Sequence, residues 1–471
     1  MRECLTLSIL NLGAAVALSP CLFSSADLTN FTSGDIITDT MNILVINGSP
    51  KGKNSITLHT ALFLEKKFPQ HSFSYINAGQ RIKSLEKDFT PALEAIREAE
   101  MLIFCYPVYT FLVPSQLHRF IEMMKEHGLD LSGKFATQIT TSKHFYDITA
   151  HRFIKDNCAD MALPFLDGLS ADMEDILSPQ GQKQAIDWLE FTLWKHSRGS
   201  RIASAAIPSP HNGSKKAVIV TDLKDDEGLK AMIDRFVAVF PYECDVINIQ
   251  DFPFQGGCLS CFCCAATGKC AYKDGFDTFL RETIHKHDAI LYAFRIKDHS
   301  MGSRFKMYDD RQFCNGHRTV TMGTPFGYLV AGDYSKEENL RMLLEARAQV
   351  GGNFLAGVAS DEFDVDKDID TLAATVAYAM EKRYTPPQNF LGVGGMKIFR
   401  DLIYMMRGLM RADHKFFKSH GQYDFPQKQW RKSMMMYLIG GMMNSPSMKR
   451  KMGSKMSEGM IAPYKKVLDS A

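Results

Sequence analysis

From Met41 onward, short apolar runs alternate with longer stretches whose apolar residues recur every three or four positions. The short runs predict strands at Asn42–Asn47, Ser72–Asn77, Met101–Cys105 and Phe135–Thr140, with a fifth near Leu163–Leu169. The longer stretches predict helices at Ser55–Phe68, Pro91–Glu98, Ser115–His127, Thr149–Asp160 and Gln180–His196. Near-continuous apolar strands separated by helices imply a parallel sheet covered on both faces. After the small, polar stretch "HSRGSRIASAAIPSPHNGSKK" the alternation begins again. Strands are predicted at Ala217–Thr221, Asp245–Ile249, Ala289–Ala293, Tyr328–Ala331 and Asn353–Val358. Helices are predicted at Glu227–Phe240, Phe276–His285, Lys336–Val350 and Asp368–Lys382. The chain therefore reads as α/β: two doubly wound parallel-sheet domains in tandem, at 41–197 and 216–385, joined by a linker at 198–215.

Both ends depart from this pattern. Thirteen of the 26 methionines follow Leu391, among many lysines and arginines and few acids, so residues 386–471 are expected to be a helical, Met-rich, basic tail. "GGMKIFRDLIYMMRGLM" sets Ile398, Leu402, Ile403, Met406, Leu409 and Met410 on one helical face, read as packing on a domain or a partner subunit, with membrane-surface attachment the lesser alternative. Residues 1–40 hold an apolar run, but "MRE" before it has no net positive charge, and Ser8, Asn11 and Pro20 interrupt it. They are expected to be a dispensable or mis-assigned extension rather than an export signal.

Composition narrows the class. The chain has 471 residues, 45% hydrophobic and 23% charged, as in soluble globular proteins. A net charge of +2 gives no electrostatic footprint for nucleic acid. Outside one cluster the cysteines are scattered, which suits a reducing cytoplasm. No membrane contact is expected.

Two motifs carry the chemistry. In "NILVINGSPKGKNS" a strand ends in a glycine turn and runs into a helix near Ser55. Free N–H groups and the dipole at a helix start favour a phosphate. Gly48 permits close approach, Ser49, Asn54 and Ser55 offer donors, and Lys51 and Lys53 add charge. A plain capped helix start is the alternative. The next strand end bears Tyr106, Pro107, Val108, Tyr109, Thr110 and Phe111, and the one after it "TTSKHFYD", with Thr141 and Ser142. Three such loops on one sheet edge favour a flavin mononucleotide (FMN) site. Candidate ring neighbours are Tyr106, Tyr109, Phe111 and His144, the last read rather as a surface histidine.

The second motif is "GGCLSCFCCAATGKCAYKDGFD". Cys258, Cys261, Cys264 and Cys270 form C-x2-C-x2-C-x5-C, soft ligands at a spacing that suits a [4Fe–4S] cluster; structural zinc and free thiols are the alternatives. Cys263 is left out, because adjacency to Cys264 makes joint ligation awkward.

"NGSPKGKNS" with "YPVYTFLVPSQLHRFIE" resembles the flavodoxin-like NAD(P)H-dependent FMN oxidoreductases, and the cysteine motif resembles that of the iron–sulfur flavoproteins. The resemblance implies two flavodoxin-like domains, the loop Asn47–Ser55 (including Pro50) on the FMN phosphate, and Pro107–Phe111 beside the isoalloxazine. It further implies NAD(P)H or a ferredoxin-like carrier as donor, a small-molecule or protein acceptor, and a homo-oligomer. Asp222, Asp225, Asp226 and Glu227 stand where the second domain would need a phosphate loop, and the first domain has no cysteine motif. Each half keeps what the other lacks, as in a fused pseudo-dimer. Two other classes remain: an electron carrier or redox sensor without a small-molecule substrate, and a non-redox scaffold.

Overall fold

The computed structural model describes residues 40–199, 213–443 and 446–471; the expectations for the N-terminal extension and for the linker's residues 200–212 lie outside the described residues. Strands β1 (Asn42–Asn47), β2 (Ser72–Ile76), β3 (Met101–Pro107), β4 (Phe135–Ser142) and β5 (Leu169–Asp172) form a parallel sheet in the order β2-β1-β3-β4-β5. Strands β6 (Lys216–Thr221), β7 (Glu243–Asn248), β8 (Ala289–Arg295), β9 (Pro325–Ala331) and β10 (Phe354–Ser360) repeat it as β7-β6-β8-β9-β10. Both are the 2-1-3-4-5 order of flavodoxin-like folds, whose ligand crevice lies at the carboxyl ends of strands one and three.

The first sheet is flanked by α1 (Ile56–Lys67), α2 (Ala78–Leu85), α3 (Thr90–Glu98), α4 (Ser115–Glu126), α5 (Asp147–Asp160) and α6 (Pro179–Gly199). The second is flanked by α7 (Glu227–Val239), α8 (Cys263–Thr267), α9 (Phe276–Phe279), α10 (Gly302–Arg311), α11 (Glu338–Gly351) and α12 (Val365–Lys382). The tail holds α13 (Phe390–Met405), α14 (Arg411–Ser419), α15 (Trp430–Met443) and α16 (Pro446–Ser470). Central strands β1 and β6 bury every residue after their first, which is why they read as unbroken apolar runs.

Several expectations are corrected. β5 begins at Leu169, not Leu163. Pro164 has no N–H for a ladder, and the preceding segment meets β4 only at the Ala136–Phe165 bridge. α2 and α10 were not anticipated, because "AGQRIKSL" and "GSRFKMYDDR" are short and mostly polar. The helix expected over Phe276–His285 is one α-helical turn followed by π-helix at Leu280–Ile284. In the tail, α13 stops at Met405, Ile403 and Met410 are buried, and Ile398 and Leu409 face solvent, so the expected single face is split.

The two halves pack through α6 and the tail. Phe191 of α6 enters the second sheet's core, stacked 4.5 Å from Tyr384 and edge-on to Phe354 at 5.5 Å. The backbone also repeats where the residues do not. The loop after β3 closes by an antiparallel Tyr109–Leu112 bridge with positive φ at Thr110 and Phe111, and the loop after β8 by Lys297–Ser300 with positive φ at Asp298 and His299. Positive φ at both central positions is what a type I′ turn requires, normally with Asn or Gly.

Candidate functional site

At the carboxyl edge of the first sheet, the chain leaves β1 in a tight loop. Asn47 shapes it from inside: Oδ1 accepts from Ser49 N–H at 3.2 Å, and Nδ2 donates to Gly52 O at 3.3 Å and Asn77 Oδ1 at 3.0 Å. Gly48 N–H donates to Cys105 O at 2.9 Å, tying the loop to β3. Ser55 then caps α1, its Oγ accepting from Leu58 N–H at 3.4 Å. The first N–H groups of that helix have no intrahelical acceptor and open beside a cavity.

That cavity, about 270 Å³, is lined by Ser49, Lys51 and Ser55 from the first loop and by Thr141 and Ser142 from the end of β4; Pro107, Val108, Tyr109, Thr110 and Phe111 complete the expected set. Asn47, Gly48, Pro50 and Asn54 were expected too, but do not line it. Asn47 and Gly48 spend their polar groups on the loop itself, Pro50 has no N–H, and Asn54 N–H donates to Lys51 O in a 3-10 turn. Ile56, Thr57, Lys143, Phe145 and Met173 line the wall and were missed. Thr57 could have been found, since it stands at the second position of the helix whose start was expected to face an anion; its Oγ1 lies 2.6 Å from Thr141 Oγ1. One end of the cavity thus offers hydroxyls and an ammonium. The other is a rim of half-exposed rings, Phe111 lying 5.4 Å from Phe145 and 5.6 Å from Tyr146. Tyr106, expected near a ring, is instead core, its hydroxyl donating to Gln138 Oε1 at 2.6 Å.

His144 is not a surface histidine. It is buried, with Nδ1 2.9 Å from Asp147 Oδ2, and Ser170 Oγ donates to the same oxygen at 2.9 Å. The other carboxylate oxygen accepts from the N–H of Phe390 at 2.9 Å, the first residue of α13. Burial pushes the Asp147 carboxyl up, but the bond from His144, the charge of His151 and the Phe390 N–H outweigh it and hold the carboxyl below its ordinary range. Above it, the Phe390 ring stacks on Tyr146 at 4.6 Å. The tail is thereby latched to the cavity rim. Replacing Asp147 by alanine is expected to cost ~3 kcal/mol in urea unfolding, by orphaning buried donors, and to free the tail for limited proteolysis. A depressed carboxyl stabilises fully above the ordinary carboxylate range and loses that contribution as pH falls through it, so the deficit should shrink below about pH 4. An unchanged urea midpoint would rule the latch out.

In the second half, the corresponding helix start is occupied by the chain itself. Asp226 caps α7, accepting from Leu229 N–H at 3.0 Å and from Arg295 Nη2 at 2.9 Å; the bond from Arg295 brings its carboxyl down to about 2. An internal anion thus sits where an anionic ligand would otherwise go.

The cysteine loop builds a separate cavity of about 400 Å³. Cys258, Cys261, Cys264 and Cys270 all line it, with Leu259, Phe262, Ala265 and Phe313; Cys263 does not. Cys314, missed because it lies 44 residues further on than Cys270, is a fifth thiol of the wall, and burial pushes it up to about 12. Arginines staple the loop by its carbonyls. Arg281 donates to Gly268 O and Cys314 O, both at 2.9 Å, and Arg311 donates to Gly256 O at 2.8 Å and reaches Cys270 Sγ at 3.9 Å. Arg311 is buried and paired with Asp274, whose carboxyl burial would raise, but which Arg311 and two backbone N–H groups bring down to about 2. Among the described residues, no group of three or more His, Cys, Asp or Glu side chains converges on a single-ion position.

Helix α13 joins the two cavities. Phe390 at its start touches the first rim, and Phe399 lies 4.8 Å from His317 on the thiol cavity's wall. Nine residues of helix correspond to a rise of about 13 Å along its axis. Further along, α14 buries Phe417 and the turn before it buries Met410 against Ala265 of the cysteine loop, and Asp413 accepts from His317 N–H at 3.0 Å.

Among curated proteins none matches the chain. Solved structures with a similar part include the Trp repressor binding protein from Bacillus subtilis (21% identity, 31% of this chain and 97% of that one, TM-score 0.26). An FMN-dependent NADH-azoreductase from Bacillus anthracis str. Ames Ancestor, in complex with FMN, matches at 16% identity over 35% of this chain and all of its own, TM-score 0.26. An apo NADH:FMN oxidoreductase matches at 20% identity over 32% and 90%, TM-score 0.27. Residues 41–151, which contain the first sheet's β1–β4 and the three loops of the cavity, match the NADPH-dependent FMN reductase family. That stretch of the first half is thus similar to the NADPH-dependent FMN reductase family, and the strand order of its sheet is repeated in tandem by the second half.

Proposed function

We propose that the protein holds FMN in the first cavity and a [4Fe–4S] cluster in the second, and passes electrons between NAD(P)H or a ferredoxin-like donor and an acceptor through both. The observation that carries the flavin assignment is that ten expected residues from three separate loops line one cavity. Its polarity fits the ligand: Ser49, Lys51, Ser55 and the start of α1 would hold the phosphate, while Tyr109, Phe111 and Phe145 would lie against the flat ring and keep water from it. Thr141 and Ser142 offer hydroxyls at the join.

For the cluster, the support is the donor set: four soft thiols at the expected spacing around a space lined by Leu259, Phe262, Ala265 and Phe313. A polynuclear centre needs room between its ligands, which a single zinc ion does not. Arg311 would bring a donor to Cys270. When bound, FMN supplies the exchange between two-electron and one-electron chemistry, and the cluster supplies single-electron storage. The chain's contribution is spacing, with α13 linking the walls of the two sites.

The test is anaerobic purification with FMN, iron and sulfide assayed on one sample, followed by titration with NADH and NADPH. About one FMN and about four irons per chain, with the flavin bleached by a nicotinamide, are expected. Flavin without iron or sulfide would remove the cluster and leave a simple FMN reductase. A protein free of both would defeat the whole reading.

A further inference from the structure

The tail contains a surface that neither cavity explains. Six apolar side chains of α15 are left in solvent: Trp430, Met434, Met435 and Met436 are exposed, Tyr437 at 83% and Leu438 at 65% of their surface. Single exposed apolar residues are ordinary, but here five consecutive ones, which at helical spacing point all round the axis, are exposed together with Trp430, and such a concentration marks an interaction segment. Around it the charge has one sign. Between Asp424 and Glu458 the sequence has seven lysines and arginines and no acid.

These two facts select the occupant. An apolar helix with a tryptophan at its start and basic residues on both sides in sequence fits an anionic lipid surface, which accepts the side chains between acyl chains and the charges among headgroups. A two-fold contact with a second copy would set the same positive residues of both chains against each other. At 14 residues α15 is about 21 Å long, short of the ~30 Å hydrocarbon core. Among the described residues no helix is long and apolar enough to cross a membrane. We propose that α15, with the basic residues around it, lies in the interface plane of an anionic membrane and docks the protein there. This goes beyond the flavin and cluster reading, does not depend on it, and takes up for α15 the membrane-surface attachment that the sequence left as the lesser alternative for the face containing Ile398 and Leu409.

The full-length protein is tested by co-sedimentation with vesicles of phosphatidylcholine alone or with about one third phosphatidylglycerol. Binding at least tenfold tighter to the anionic vesicles is expected, largely lost in about 0.5 M salt, with a blue shift of Trp430 fluorescence that Trp430→Phe removes. Tyr437→Glu with Leu438→Glu should weaken binding at least tenfold while leaving the flavin and iron content as in the parent. Equal affinity for neutral and anionic vesicles, or none for either, overturns the proposal. So does a concentration-dependent dimer that the double glutamate variant dissociates, which would assign the face to self-association.

Discussion

Changing Cys258 to serine is expected to abolish iron and sulfide, from about four irons per chain to near zero, while FMN stays at its parental level. A serine hydroxyl is a hard donor that stays protonated near neutral pH and does not replace a soft thiolate. Cys258 is exposed on the cavity wall, so its loss creates no void in either core and the effect should be confined to the proposed cluster. Cys263→Ser is the internal control: it borders Cys264 in sequence but lies off the wall, and should keep a full complement of iron. Iron retained in Cys258→Ser and lost in Cys263→Ser would mean that the ligand set is wrong. The assays are iron, acid-labile sulfide and FMN on the same anaerobic samples, with circular dichroism to show that the fold is kept.

Gly79→Ala should lower FMN affinity by at least 100-fold, about 2.7 kcal/mol. Gly79 is the second residue of α2, and a Cβ there would fall inside contact distance of the Gly48 carbonyl oxygen and the Ser49 carbonyl group. Those atoms are backbone of the loop proposed to hold the phosphate and cannot rotate away, so the loop and the start of α2 must move apart. A misplacement of about 1 Å is enough for a loss of this order. Gly48→Ala tests the same loop from its other side, because its Cβ would meet both Cβ and Cδ2 of buried Leu117 at 2.7 Å, and the Leu117 Cβ is fixed to the backbone of α4. It should therefore weaken FMN binding as well. Fluorescence titration with FMN reads both. If Gly79→Ala binds FMN as tightly as the parent, the loop tolerates displacement and its assignment to the phosphate fails.

Both variants bear on what the chain discloses in one dimension. The β1 loop was legible because close approach, a cap and an ammonium fall within nine residues, Asn47 to Ser55, and local backbone geometry brings them together. The cysteine motif was legible for the same reason. Gly79 was not, since its role comes from α2 folding back under a loop some thirty positions earlier, and nothing beside it in sequence records that packing. Cys314 and the Asp147–Phe390 bond are of the same kind: their partners lie 44 and 243 residues away.

The loops after β3 and β8 show the converse case. "YTFL" and "KDHS" share no chemistry, yet both turn through two positive-φ residues, because two strands in the same sheet position must be left along the same path. By itself, the sequence determined the two parallel sheets and the two chemical motifs, since these rest on periodicities and spacings within single elements. Tertiary structure alone decided which loop residues face a cavity and which merely shape the loop, as with Ser49 against Asn47. It also decided that a buried carboxylate latches the tail to the rim of the first cavity and that Trp430 and Met434–Leu438 of α15 are left exposed. Those outcomes depend on which surfaces meet after the chain has folded, and burial is a property of the meeting, not of either residue.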